Sequence, residues 1–385
     1  MHLTSLALTN YRNYAQQEFE LAPGAVLLLG ENAQGKTNVL EAAMLLATGR
    51  SERASGDADL IAWNAREETQ PFARVAGEAQ RASGDVSVEI TVIGRPGAKG
   101  MVASKRFKLN GVAKRAADVV GSITAVLFTT DDMELVKGSP AGRRRYLDVM
   151  LTQADRAYFR ALRSYGKVIT QRNALLKNVY AGAAKRDELN YWDEELARDG
   201  ATMLISRARA VAEVAVSAAE LHARLSGERE DLGVRYEPRF DWSADRLAAA
   251  EHEEVAAALK ERLQATQMRD AAAGLTLTGP HRDDLSLTLG GEPAASFASR
   301  GQQRTAALAL RLAEARLLRD RAGEQPILLL DDVLSELDES RRASVLDAIE
   351  ADQMLITSPD PDRFPKKFVE RAQVFTVTGG TAKPA

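Results

Sequence analysis

The sequence predicts an α/β protein whose core is assembled from both ends of the chain, with a mainly helical lobe inserted between them. Three observations carry that prediction. Near the N-terminus the apolar run Ala25-Val26-Leu27-Leu28-Leu29 is closed by a glycine-rich loop. Helically spaced Val39, Leu40, Ala43, Leu46 and Ala47 follow it. Near the C-terminus a second apolar run, Ile327-Leu328-Leu329-Leu330, ends in Asp331-Asp332. Between them, from about Pro140 to Ala273, the texture is Ala, Arg, Glu and Leu, and Pro238 is the one proline after Pro140. Short continuous apolar runs suit strands covered on both faces of a sheet, whereas the proline-poor middle suits helices.

The elements follow in order. Leu3, Ser5, Ala7 and Thr9 alternate with Thr4, Leu6, Leu8 and Asn10 as a weak strand, and Pro23-Gly24 punctuates before the first apolar run. Val86–Val92 alternates as a half-buried strand, Phe107–Gly111 ends in a turn signal, and Val126-Leu127-Phe128 reads as another strand. The helical lobe carries one short strand near Gly233–Phe240. Strand character returns at Gly274–Thr278, Ile327–Leu330, Met354–Thr357 and Val374–Val377, and the tail Gly379–Ala385 is expected to fray. At roughly 150 residues per domain, 385 residues suggest two or three domains. The expected division is 1–130 for the N-terminal part of the core, 131–272 for the lobe and 273–385 for the C-terminal part. No internal repeat or long heptad run is visible.

Composition removes several function classes. Hydrophobic residues at 45% and charged residues at 27% are ordinary for a folded protein, which excludes wholesale disorder. With no cysteine, disulfides, cysteine nucleophiles, iron–sulfur clusters and thiolate zinc sites are excluded. His2, His222, His252 and His281 are scattered, without metal-site spacing. No apolar run approaches the ~18–20 residues that span a bilayer, and the N-terminus lacks a basic secretory region, so a cytoplasmic protein is expected. A net charge of −3 argues against a surface coated in positive charge, yet a local basic face suffices to meet phosphates.

Three motifs carry chemistry. Gly30-Glu31-Asn32-Ala33-Gln34-Gly35-Lys36-Thr37 fits GxxxxGK[ST], in which glycines let backbone N–H groups wrap a phosphate at a helix N-terminus. Lys36 would reach the β/γ-phosphates of ATP, and the Thr37 hydroxyl would ligate Mg²⁺. In the second motif a buried strand delivers Asp331 as the carboxylate partner of the magnesium site. Asp332, one residue on, is aimed at the water that attacks the γ-phosphate. The third is Ser299-Arg300-Gly301-Gln302-Gln303-Arg304 before a helix, a second capped, anion-binding turn. One subunit needs only one such turn, but a dimer that sandwiches nucleotide needs both.

With these motifs in order, the chain resembles the ABC-type ATPase heads of SMC-like proteins, and more closely the RecF family of bacterial recombination mediators. The closer resemblance runs nearly end to end. It rests on Leu8–Tyr14, Lys36–Ala42, Leu135–Pro140 with Arg143–Asp148, Gly279–Leu285, the Ser299 turn and Leu330–Asp338. It implies that Ser299, Gly301 and Gln302 act in trans on the partner's nucleotide and that Ser335–Asp338 crosses the dimer interface. Two departures from the wider ABC pattern stand out: Ala33 where many relatives have glycine, and Asp332 where most have glutamate. Aspartate is one methylene shorter, so the attacking water is held less well and hydrolysis should be slow. The switch position after Met354–Ile356 falls on Thr357 or Ser358, with neither assigned, and no Q-loop glutamine is identified.

Between Ala141 and Lys177 nine basic residues face two acids, Asp148 and Asp155. Arg156, Arg160, Arg163 and Lys167 fall on one helical face, and Tyr158, Leu162, Tyr165 and Ile169 fall on the opposite one. That basic face would contact DNA through its backbone; the alternative is a merely solvated face. His281-Arg282-Asp283-Asp284 reads as a turn that braces the sheet. The resemblance implies an ATP-dependent homodimer on double-stranded or gapped DNA, working with RecR and RecO to load the RecA recombinase as a weak DNA-dependent ATPase. Competing readings are a transporter-type ATP-binding subunit, a structural SMC-type head, and a clamp that uses ATP only as a ligand. The first usually separates P-loop and signature by about a hundred residues, the second needs a long coiled coil, and measured turnover would identify the third.

Overall fold

Two sheets around one buried helix organise the first of the two units into which the chain divides, Met1–Asp132 with Glu314–Ala385; the second is Met133–Ala313. The structure, a computed structural model, describes residues 1–98, 100–227, 230–336, 342 and 349–385. In chain order the first unit begins with β1 (His2–Tyr11), β2 (Tyr14–Glu20), β3 (Gly24–Leu29), α1 (Lys36–Thr48), β4 (Phe72–Gln80), β5 (Val86–Gly97), β6 (Gly100–Leu109), β7 (Val112–Lys114), α2 (Ala116–Val119) and β8 (Ala125–Thr129). The chain continues through α3 (Met133–Lys137), α4 (Pro140–Ala154), α5 (Arg156–Tyr180), α6 (Leu189–Ser226), β9 (Leu232–Glu237), α7 (Ala244–Ala249), α8 (His252–Ala273), β10 (Asp284–Leu289), β11 (Glu292–Pro293), α9 (Ala294–Phe297) and α10 (Arg300–Ala322). It closes with β12 (Ile327–Asp331), β13 (Gln353–Ser358), β14 (Gln373–Thr378) and β15 (Thr381–Pro384).

The apolar runs read from the sequence become neighbours in one sheet of order β15-β14-β3-β13-β12-β8. β3, β8, β12, β13 and β14 run parallel there, and only β15 is antiparallel. β3, from the N-terminal part, lies between β13 and β14 from the C-terminal part, so neither end of the chain can make this sheet alone. The second sheet is antiparallel, in the order β2-β1-β4-β5-β6-β7. The weak alternation of residues 2–11 forms β1, paired on both sides, and Asn110-Gly111 makes the β6–β7 turn with φ of 50° and 76°.

Helix α1 touches strands of both sheets and is buried almost all round, including Leu40, Leu45 and Leu46 at 0% exposure. Each such leucine contributes about 1.5–3 kcal/mol relative to exposure. Gly77 on β4 permits the close approach, since a Cβ there would lie 2.5 Å from Leu46 Cδ1. One buried amide links the two sheets. Gln353 on β13 accepts from Leu3 N–H at 2.8 Å and donates to Leu3 O at 2.8 Å and Ala22 O at 2.9 Å.

In the second unit α5, α6 and α8 pack together beside a three-stranded sheet, β11-β10-β9. Asp155 caps α5 by accepting from Ala157 N–H and Tyr158 N–H. Two buried arginines tie the lobe. Arg172 on α5 pairs with Asp193 on α6 and Asp270 on α8, at 2.7 and 2.8 Å. Arg207 on α6 donates to Asp148 (2.8 Å), Asp283 (3.2 Å), Tyr158 Oη (2.9 Å) and Pro280 O (2.6 Å).

Two expectations change. Gly274–Thr278 is not a strand, because its donors are taken elsewhere: Thr276 N–H by Asn173 Oδ1 at 2.8 Å and Leu277 N–H by Asp270 Oδ1 at 3.3 Å. The strand lies ten residues later, at β10. The tail is also not frayed, since Thr381–Pro384 pairs with β14 and Ala382 N–H is held by Gln17 Oε1 at 2.8 Å. The short strand expected near Gly233–Phe240 is β9.

Candidate functional site

The glycine-rich loop leaves the carboxyl end of β3 and opens α1. Gly30 has φ of +151°, and a Cβ there would lie 2.3 Å from the backbone oxygen of Val377, so the strand end passes β14 at a distance only glycine allows. Ala33 adopts φ of +64°, a left-handed conformation that costs an L-residue about 1–2 kcal/mol. The loop is held from two sides. Asn13 Nδ2 donates to Gln34 O at 2.8 Å and Tyr14 Oη to Gly35 O at 3.1 Å, both from the β1–β2 hairpin. From the β14–β15 turn, Gly379 N–H donates to Gln34 Oε1 at 2.7 Å and Gly380 N–H to Gln34 O at 3.1 Å. Gln34 therefore serves the loop as a clamp point.

Lys36, the first residue of α1, is buried and donates to Gly30 O at 2.5 Å and Glu31 O at 2.7 Å. Burial pushes its pKa down, and the charges of Asp332 and then Asp331 oppose that fall. Its ammonium thus bridges the two ends of the loop within the field of both acids. The N–H groups of Gly35, Lys36 and Thr37 take no partner among the described residues. They are the orphan donors a helix start leaves, and the kind a phosphate accepts from.

Sequence-distant residues meet at the next position. Thr37 Oγ1 donates to Asp331 Oδ1 at 2.8 Å, across 294 residues of chain. Asp332 follows with φ of +55°. Thr357, in register with Asp331 on the neighbouring strand, donates to Asp331 Oδ1 at 2.8 Å and accepts from Asp332 N–H at 3.0 Å. A magnesium ion fits this donor set. Among the described residues no group of three or more His, Cys, Asp or Glu would cage a metal, whereas one hydroxyl and one carboxylate suit a hard cation that takes its other ligands from water and phosphate.

Ser299–Gln302 lies in the second unit. Ser299 N–H donates to Gln302 Oε1 at 2.6 Å while Gln302 N–H donates to Ser299 Oγ at 3.3 Å, a reciprocal cap at the start of α10. Gln302 Nε2 also donates to Glu230. Ser299 and Arg300 are exposed, Gly301 is half-buried, and Phe297 beside them is 70% exposed. Of Ser335–Asp338, the segment expected to cross an interface, Leu337 and Asp338 and the side chains of Ser335 and Glu336 lie outside the described residues.

The basic segment divides in two. Arg156, Arg160, Arg163 and Lys167 are all exposed along one side of α5, while Tyr158 and Tyr165 are buried on the other. Among the described residues none of the four forms an ion pair, and Arg163 lies over the Phe159 ring at 5.7 Å. The remaining charges include structural ones: Arg172 is fully buried, and Arg143 clasps Asp284 at 2.7 and 2.9 Å. His281 meets Tyr165 Oη at 2.8 Å and Thr276 O at 2.9 Å, and burial lowers its pKa to about 4, so it is a neutral brace.

Sequence reasoning missed the clamp residues Asn13, Tyr14, Gly379 and Gly380, and left Thr357 without a role. Asn13 and Tyr14 fall within the Leu8–Tyr14 block that carries the resemblance, and Gly379-Gly380 shows turn chemistry, but neither signal points at Gln34.

Residues 2–383 match the RecF/RecN/SMC N terminal domain family. The chain is 41% identical to the DNA replication and repair protein RecF of Roseiflexus castenholzii and 43% identical to that of Herpetosiphon aurantiacus, each comparison covering 100% of both chains. A solved structure of the recombination mediator protein RecF with ATP, in the RecFOR pathway, superposes with a TM-score of 0.85 at 31% identity, covering 100% of this chain and 97% of that one. The Smc head domain of Pyrococcus furiosus shares the fold alone, at a TM-score of 0.52 and 16% identity. The fold is that of the ABC-type ATPase heads, and end-to-end similarity at this level places the chain in the RecF family.

Proposed function

We propose that the protein is an ATP-dependent DNA-binding protein of recombinational repair and replication, which dimerises on ATP at double-stranded DNA or gap junctions and helps load the RecA recombinase. One observation carries the nucleotide reading: the Thr37 hydroxyl and the Asp331 carboxylate, at opposite ends of the sequence, meet beside Lys36 at the mouth of a P-loop. Magnesium at Thr37 and Asp331 would neutralise charge between the β- and γ-phosphates. Lys36 exchanges the carbonyls of Gly30 and Glu31 for phosphate oxygens, and the first-turn N–H groups of α1 hold the anion. Asp332 orients the attacking water and, with its short side chain, turns ATP over slowly. The chain thus acts as a switch rather than a motor.

The exposed turn at Ser299, with Phe297 beside it, is a surface that a second copy covers. There Ser299, Gly301 and Gln302 close over the partner's nucleotide. The α5 stripe tracks a DNA backbone without reading sequence. RecR and RecO are its partners, a reading supported by the RecFOR pathway in which the similar solved RecF acts.

Sedimentation of the wild type and Lys36→Met, with and without ATP–Mg²⁺ and a gapped duplex, tests this reading. The wild type alone should dimerise and bind DNA, and only with ATP. If both chains stay monomeric, or both dimerise alike, nucleotide does not control assembly and the switch is refuted.

A further inference from the structure

We propose that Thr357 is the residue that positions both acids of the site, a role that rests on the nucleotide reading above. It stands at the carboxyl end of β13, is 2% exposed, and is in register with Asp331 on β12. Its one hydroxyl serves two neighbouring residues at once: the proton goes to Asp331 Oδ1 at 2.8 Å, and a lone pair takes Asp332 N–H at 3.0 Å. Leu330 O, at 3.5 Å, is too distant to compete for the proton.

Each bond has a separate consequence. Asp331 Oδ1 is shared by Thr37 and Thr357. When the Thr37 hydroxyl turns to another ligand, the bond from Thr357 keeps the carboxylate in place. Asp332, at φ of +55°, holds a conformation that non-glycine residues keep only when their surroundings enforce it. Thr357 enforces it by capturing the amide of that residue, which fixes the direction in which the Asp332 side chain leaves the backbone. Threonine suits the task because its branched Cβ limits χ1, so the hydroxyl does not wander. Valine has the same shape without the hydroxyl, and serine has the hydroxyl without the methyl.

The experiment compares the full-length wild type with Thr357→Val and Thr357→Ser. ATP retention is measured by equilibrium dialysis over stepped Mg²⁺ concentrations, and turnover by phosphate release. Thr357→Val should raise the Mg²⁺ midpoint and lower turnover by about tenfold each, the usual scale for partners that orient metal ligands. ATP binding at saturating Mg²⁺ should change by less than about threefold, because the P-loop is intact. Thr357→Ser should stay close to the wild type in both. A valine variant with an unchanged midpoint and turnover overturns the proposal, and so does an equal loss in valine and serine, which marks a packing role. If valine fails to fold, Thr357→Ala set against Thr357→Ser makes the same comparison. A wild type that binds ATP without turnover refutes hydrolysis alone, and the Mg²⁺ midpoint still decides Thr357. A wild type that binds no ATP overturns both readings.

Discussion

Replacing Arg207 by methionine removes the centre of the lobe's second buried network. The guanidinium is 1% exposed and makes four hydrogen bonds, two of them to carboxylates. Burial alone would lower its pKa, but Tyr158, Asp148, Tyr236 and Asp283 hold it well above the usual arginine value. Its loss leaves Asp283, itself 0% exposed, with Tyr236 and the Arg239 N–H as its remaining donors. Breaking a buried pair in this way costs about 3–5 kcal/mol. For a unit of this size that lowers the melting temperature by on the order of 10 °C.

The pH dependence has a definite sign. Burial raises the Asp283 pKa above the usual carboxylate value, against the pull of Arg207. A carboxyl with a raised folded pKa stabilises the fold while protonated and loses that contribution as pH rises. Without Arg207 the pKa rises further, so the deficit should be larger at pH 8 than at pH 5. Thermal unfolding followed by circular dichroism at both pH values measures it. A fall below about 3 °C, or a deficit that shrinks as pH rises, would refute the assignment of Arg207 as the charge on which this network depends.

Three further outcomes are expected. Gly30→Ala should abolish ATP retention and cost at least about 2 kcal/mol, because its methyl meets the backbone of Val377; a variant that binds ATP normally contradicts the contact. Asp332→Glu should raise turnover by about tenfold, since the longer side chain holds the water better, and an unchanged rate removes the geometric account of slow hydrolysis. Arg160→Ala with Arg163→Ala should reduce the slope of log affinity for duplex DNA against log salt by about 2, and an unchanged slope takes the stripe out of the interface.

The parallel strands were legible because burial on both faces leaves continuous apolar runs, and the P-loop was legible because its glycines, lysine and threonine are local in sequence. What escaped depended on distant partners. Leu275 and Leu277 alternate as in a strand, but Asn173 and Asp270 had already claimed the neighbouring donors. Thr381–Pro384 carries no apolar run, and only its pairing with β14 makes it a strand. Arg172 counted as one more positive charge until the helix turned it inward against two aspartates. Thr357 looked like any strand threonine, since nothing in its neighbourhood signals Asp331 on the next strand.

The position of β3 also sets the order of events on the ribosome. The strand and its loop are made first, yet both flanking strands and the Gly379-Gly380 clamp come from beyond residue 350. A nascent chain halted before that point carries the whole P-loop sequence and its β1–β2 clamp, but neither of the strands that flank β3. Folding of this core is therefore deferred to the end of translation, while the residues of the helical lobe have already emerged. Partly synthesised chains should consequently be unable to sequester nucleotide.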